Sequence, residues 1–178
     1  MSHKILIVDD ESANVRALER VFRNEYSVLT AESGAEALAL LEQHDVALLI
    51  SDQRMPGMTG IDLLQNTVQL RPHMVRILLT GYTDLGTLIE ALNCGHVYRF
   101  VTKPWNNDDL RITVSRALQH FEANKSRHNL EMINRRLRAR LGEIGQLATQ
   151  DEELPGSHDT ALDHGLEPDR QLELIASN

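Results

Sequence analysis

The chain has 178 residues, 42% of them hydrophobic and 25% charged, enough for one globular domain and an appendage. Its single cysteine, Cys94, excludes a disulfide framework or a cysteine metal cluster, and reads as a small buried apolar residue. No apolar stretch approaches the roughly 20 residues that span a bilayer, and an acid pair interrupts the N-terminus too early for a secretory signal. The expected setting is therefore cytoplasmic.

The formal net charge of -8 is unevenly spread. Residues 1–118 are mildly acidic, residues 119–150 carry six bases against three acids, and residues 151–178 carry eight acids against one base. Three charge zones predict three structural roles: a domain over 1–120, a helical extension over 121–150 and an acidic, disordered tail over 151–178.

The first zone alternates in kind. "KILIVD" (4–9) is a short apolar run typical of a buried strand. Behind a candidate cap at Ser12, Val15, Leu18, Val21 and Phe22 recur at helical spacing. "YSVLTA" (26–31) predicts a strand and "GAEALALLEQH" (34–44) a helix. "DVALLISD" (45–52) is a third strand, and "TGIDLLQNTVQL" (59–70) a helix closed by Pro72. "MVRILLTG" (74–81) is a fourth strand, "DLGTLIEALNCG" (84–95) a helix stopped by Gly95, and "VYRFVTK" (97–103) a fifth strand. After "PWNNDDL", a helix is expected from Arg111. Five strand–helix pairs with short connections predict a parallel sheet with helices on both faces.

Such sheets carry their chemistry at the carboxyl ends of the strands. Standing there are Asp9 and Asp10 after strand one, Asp52 after strand three, Thr80 after strand four, and Lys103 before Pro104 after strand five. Clustered carboxylates repel one another, and a hard cation among them resolves the conflict; oxygen ligands suit Mg²⁺. A carboxylate beside that cation can attack a phosphoryl group. Lys103 and Thr80 would then neutralise and hydrogen-bond the phosphoryl oxygens. Asp9 and Asp10 would hold the metal with Asp52, the backbone carbonyl of Arg54 would complete it, and Pro56 and Gly57 would shape the turn that projects Asp52.

In this order and at these spacings, Asp9-Asp10 after "ILIV", Asp52 in "SDQRMPGMTG", Thr80 in "LLTGY" and Lys103-Pro104 in "FVTKPW" resemble the receiver domain of two-component response regulators, over residues 3–120. The resemblance implies a flavodoxin-like sheet of order 2-1-3-4-5. It also implies Mg²⁺-dependent transfer of a phosphoryl group from a sensor histidine kinase, or a phosphotransfer protein, onto Asp52, followed by slow self-hydrolysis. Phe100, three residues before Lys103, matches the family's aromatic switch. The surface that switching would alter comprises the helix of 84–95, the strand of 97–103 and the helix after it. Turnover of an external substrate is not expected. A haloacid-dehalogenase-like phosphatase would want a second acid two residues after the nucleophile, where this chain has Arg54.

None of the eight histidines shows metal-ligand spacing; His120 and His128, eight apart, match no strong ligand template. Beyond Arg111 no glycine or proline interrupts the pattern until Gly142. Leu130, Leu137 and Ile144 fall seven apart, with Asn134, Leu141 and Ala148 in the complementary positions. That seam predicts a short parallel coiled coil and a homodimer. The basic residues beside it read as a solvated flank, since no helix-turn-helix or aromatic interleaving accompanies them; direct nucleic-acid or membrane binding is not expected.

Overall fold

The computed structural model describes residues 3–81 and 97–150, with side chains described through residue 142. The helix expected over 84–95, Cys94 within it, His96 and the acidic tail lie outside the described residues. The chain forms two compact units, Met1–Asn134 and Arg135–Asn178.

The chain runs β1 (Lys4–Val8), α1 (Ser12–Phe22), β2 (Ser27–Ala31), α2 (Gly34–Gln43), β3 (Leu48–Asp52), α3 (Gly60–Leu70), β4 (Val75–Thr80), β5 (Arg99–Thr102) and α4 (Asn107–Gln150). All four strand pairings are parallel, and the strand order is β2-β1-β3-β4-β5. The expected flavodoxin-like fold is thus present. The runs of β3 and β4 are mostly apolar because both strands are buried at every position, whereas the edge strands β2 and β5 are only partly covered.

Alternation along the strands divides the core in two. Ile5, Ile7, Leu48, Ile50, Ile77 and Leu79 face one side, where Leu18 and Phe22 of α1 and Leu110, Val114 and Phe121 of α4 cover them. Leu6, Val8, Leu49 and Leu78 face the other, under Ala37 and Leu41 of α2 and Ile61, Leu63 and Leu64 of α3. Each fully buried aliphatic side chain contributes about 1.5–3 kcal/mol, and this burial holds the strand ends in place.

Two helix starts differ from expectation. Ser12 does not cap α1: Glu11 occupies that place without a side-chain cap bond, and the Ser12 hydroxyl instead accepts from Arg16. The last helix begins at Asn107, four residues before the expected Arg111. There the Asn106 side-chain oxygen accepts the N–H groups of Asp108 (2.8 Å) and Asp109 (3.2 Å), and both acids complement the helix dipole. The polar stretch "NNDD" reads as a loop in sequence, yet it is the cap and first turn.

Arg76 interrupts the apolar pattern of β4 and is nevertheless buried. Its guanidinium donates to the Thr67 hydroxyl and to the carbonyls of Thr67, Arg71 and Met74, closing the C-terminal end of α3. Burial lowers its pKa to about 10.

Candidate functional site

The register brings the strand ends together. Asp52 pairs with Leu79, Thr80 with Thr102, and the Lys103 N–H donates to the Thr80 carbonyl at 2.8 Å. The turn after Asp52 is equally fixed. The Gln53 N–H donates to Leu79, the Gly60 N–H to the Gln53 carbonyl, and the Ile61 N–H to the Gln53 side chain. Gly57 takes a φ of 77°, a conformation that favours glycine. Thr59 and Asp62 then form a capping box at the start of α3.

The rim consists of carboxylates around one amine. Asp9, Asp10 and Asp52 each offer an oxygen within 4.8 Å of the others. The Lys103 Nζ lies 2.9 Å from Asp9 Oδ2 and 2.5 Å from Asp52 Oδ1. Asp9 is fully buried, and its oxygens also accept the Glu11 N–H (2.9 Å) and the Asn14 side-chain amide (3.1 and 3.2 Å). Asp52, 5% exposed, accepts the Arg54 N–H on Oδ2 at 2.8 Å. Asp10 is exposed. Thr80 is buried, its hydroxyl donating to the Gly81 carbonyl at 3.1 Å. Phe100 is half-buried on β5, paired in register with Leu78 and packed against the second core cluster.

Of the residues expected at the rim, Asp9, Asp10, Asp52 and Lys103 lie together, and Thr80 stands at the end of β4 beside Lys103, whose N–H its carbonyl accepts. The Arg54 backbone joins them through its N–H, whereas Phe100 stands in the adjoining core layer. Asn14 and Gln53 were not anticipated. An asparagine in the first turn of a helix reads as a cap, and nothing local shows that it reaches back to Asp9.

The rim carries three carboxylates and one amine, and its donors are hard oxygens with no imidazole or thiolate among them. Such a set fits a hard divalent cation such as Mg²⁺.

Burial pulls the Lys103 pKa down, but hydrogen bonds to Asp52 and Asp9, together with their charges, outweigh it and leave the pKa above its ordinary 10.5. With a folded-state pKa above the unfolded value, this stabilisation is complete below pH 10.5 and is lost as pH rises through the higher folded value. Urea denaturation between pH 9 and about pH 12 should therefore show a loss of stability that Lys103→Met lacks. Equal slopes in the two proteins would refute the pairing.

Fold and rim together define a flavodoxin-like α/β domain with an acidic, lysine-bridged rim. The family described as response regulator receiver domain matches residues 5–115, and the chain belongs to it; it is a receiver of two-component signalling. It is 38% identical over 128 residues to the hydrogenase transcriptional regulatory protein HoxA of Cupriavidus necator, covering 72% of this chain and 27% of HoxA. It is 37% identical over 158 residues to the transcriptional regulatory protein GlrR of Escherichia coli, covering 85% of this chain and 35% of GlrR. Among solved structures, a CheY-like response regulator receiver domain protein from Methanospirillum hungatei superposes with a TM-score of 0.66 at 33% identity, covering 70% of this chain and 99% of that one. The chain thus spans about a quarter to a third of the curated relatives named. Among the described residues, no helix is long and apolar enough to cross a membrane.

Proposed function

We propose that Asp52 is the phosphoacceptor of this receiver, and that it takes a phosphoryl group from a sensor histidine kinase or phosphotransfer protein in the cytoplasm. The observation that carries this is the placement of Asp52 at the end of β3, 2.5 Å from Lys103 and within 4.8 Å of two further carboxylates. A carboxylate oxygen of Asp52 attacks phosphorus, the bond from phosphorus to the donor breaks, and the donor leaves with the electron pair. Asp9, Asp10, Asp52 and the backbone carbonyl of Arg54 would hold Mg²⁺, which when bound supplies charge neutralisation for the phosphoryl oxygens. Lys103 exchanges its contact with Asp52 for one to a phosphoryl oxygen, and Asp9 keeps the amine aimed there. Slow attack by water on phosphorus returns the free carboxylate, so the only reactions are on the chain's own aspartyl phosphate.

Thr80 reads the modification. Its hydroxyl turns from Gly81 to the new phosphoryl oxygen, and Phe100 moves further into the layer that Thr80 leaves. That alters the face made by residues 84–95, β5 and α4, which controls an output. The output is either the part of a longer regulator that this chain does not match in HoxA and GlrR, or a separate protein bound by a stand-alone adaptor.

The seam on α4 provides a route to dimerisation. Leu130, Ile133, Leu137 and Leu141 are large apolar residues, each more than half exposed. Leu130, Leu137 and Leu141 share the a/d spacing with Asn134, and a second copy would cover them. Ile144 and Ala148 continue that spacing but lie outside the described side chains. A switch from mostly inactive to mostly active takes roughly 5 kcal/mol of differential stabilisation, within reach of a few charge-assisted contacts to a phosphoryl group.

Light scattering on gel-filtered protein, with and without beryllofluoride and Mg²⁺, tests this coupling. The parent should change its association state on treatment. Thr80→Ala should still take up a phosphoryl group yet keep the association state of the untreated protein. A Thr80→Ala response equal to the parent's would refute the route through Thr80.

A further inference from the structure

At the opposite end of the sheet, two histidines 55 residues apart in sequence meet. His73 lies in the short connection between α3 and β4, where buried Met74 and its N–H bond to the Arg71 carbonyl (3.1 Å) fix the backbone. His128 lies on α4, seven residues beyond Phe121, which is the last α4 residue buried in the core. The ring centroids are 4.6 Å apart and the rings are tilted by 50°. Among the described residues neither ring makes a hydrogen bond, so no described group competes for the imidazole nitrogens.

We propose that His73 and His128 form a two-imidazole site for a borderline divalent transition metal, of the Zn²⁺ or Cu²⁺ class, separate from the carboxylate rim. The spacing supports it. With metal–nitrogen bonds of about 2.0–2.1 Å and a ring nitrogen about 1.1 Å from its centroid, two imidazoles on one ion at about 90–109° have centroids about 4.5–5.2 Å apart. The observed separation falls in that interval. Solvent reaches the pair to complete a coordination shell, because His128 is exposed and His73 half-buried beside a cleft of about 320 Å³. Neutral imidazole selects such metals, whereas the oxygen-only rim selects Mg²⁺. A bound ion would tie the outgoing part of α4 to the base of the sheet, at the start of the segment that carries the apolar seam.

The test uses the full chain with excess Mg²⁺ present throughout to occupy the rim. Zn²⁺ alone is titrated calorimetrically, and Cu²⁺ is followed by electron paramagnetic resonance. Loss of an outer-shell partner already weakens metal binding about 10–100-fold, so removing a ligand should raise the Kd at least tenfold. His73→Ala and His128→Ala should each do so, and each should lower the Cu²⁺ signal from two equatorial nitrogens to one. His120→Ala should match the parent in both readouts. The assignment is overturned if the parent binds no Zn²⁺, if either single variant binds as tightly as the parent, or if His120→Ala loses as much affinity as the pair. His128 is exposed and His73 half-buried, and unchanged melting of the metal-free variants verifies that folding is intact.

Discussion

Incubated with acetyl phosphate and Mg²⁺, the parent chain should gain a single phosphoryl group in its intact mass, and Asp52→Asn should gain none. Removing Mg²⁺ with a chelator should stop labelling of the parent. The expected effect is complete loss because the other rim acids are poor substitutes. Both oxygens of Asp9 already accept hydrogen bonds, from Glu11 and Asn14, and Oδ2 also pairs with Lys103. Asp10 is exposed and makes no contact with Lys103 among the described residues. Asp52 keeps slight exposure, 5% against 0% for Asp9, and among the described residues its Oδ1 faces the Lys103 amine and its Oδ2 accepts the Arg54 N–H, one contact on each oxygen. Asparagine preserves its shape and can still accept the Arg54 N–H, so loss of labelling would reflect chemistry and not misfolding. A phosphoryl group that survives Asp52→Asn would sink the assignment.

Gly60→Ala should be among the most damaging single-methyl changes outside the rim. A Cβ built there meets the Asp52 carbonyl oxygen at 2.2 Å and Leu78 Cδ1 at 2.5 Å. Leu78 can adjust its side chain, but the Asp52 carbonyl is main chain at the end of a fully buried strand. Relief therefore requires α3 to move off β3, breaking the bond from the Gly60 N–H to Gln53 that shapes the phosphoacceptor turn. Overpacking costs about 1–3 kcal/mol, and a backbone clash belongs at the upper end. At about 2–4 °C per kcal/mol for a chain of this size, the melting temperature should fall by about 6–12 °C. Labelling by acetyl phosphate should slow with it. Gly57→Ala is the contrast: its added methyl meets open space, and only the positive φ is strained, so about 1–2 kcal/mol is expected. A Gly60→Ala protein that melts within a degree or two of the parent would show that α3 accommodates the methyl freely.

The division between sequence and tertiary structure follows from how far each interaction reaches along the chain. The strands were legible because a parallel sheet covered on both faces needs near-continuous apolar runs, as in "ILIV", "VALLI" and "ILL". The rim was legible for a related reason: it lies where each run ends, with Asp9 after "ILIV", Asp52 after "LLIS", Thr80 after "ILL" and Lys103 after "FVT", so these residues could be found before the sheet was seen. Local chemistry did not place the start of α4, because "NNDD" reads equally as loop or as cap until Asn106 is seen bonding to Asp108 and Asp109. It also missed Arg76, a cation in a fully buried strand, because three of its four hydrogen bonds go to Thr67 and Arg71, which only the packing of α3 on β4 brings near. Asn14 on Asp9, the closeness of Gly60 to Asp52 and the meeting of His73 with His128 belong with Arg76. Periodicity in a sequence reports which face of an element is buried. Which side chains then touch across elements is set by register and helix packing, and that only the folded chain decides.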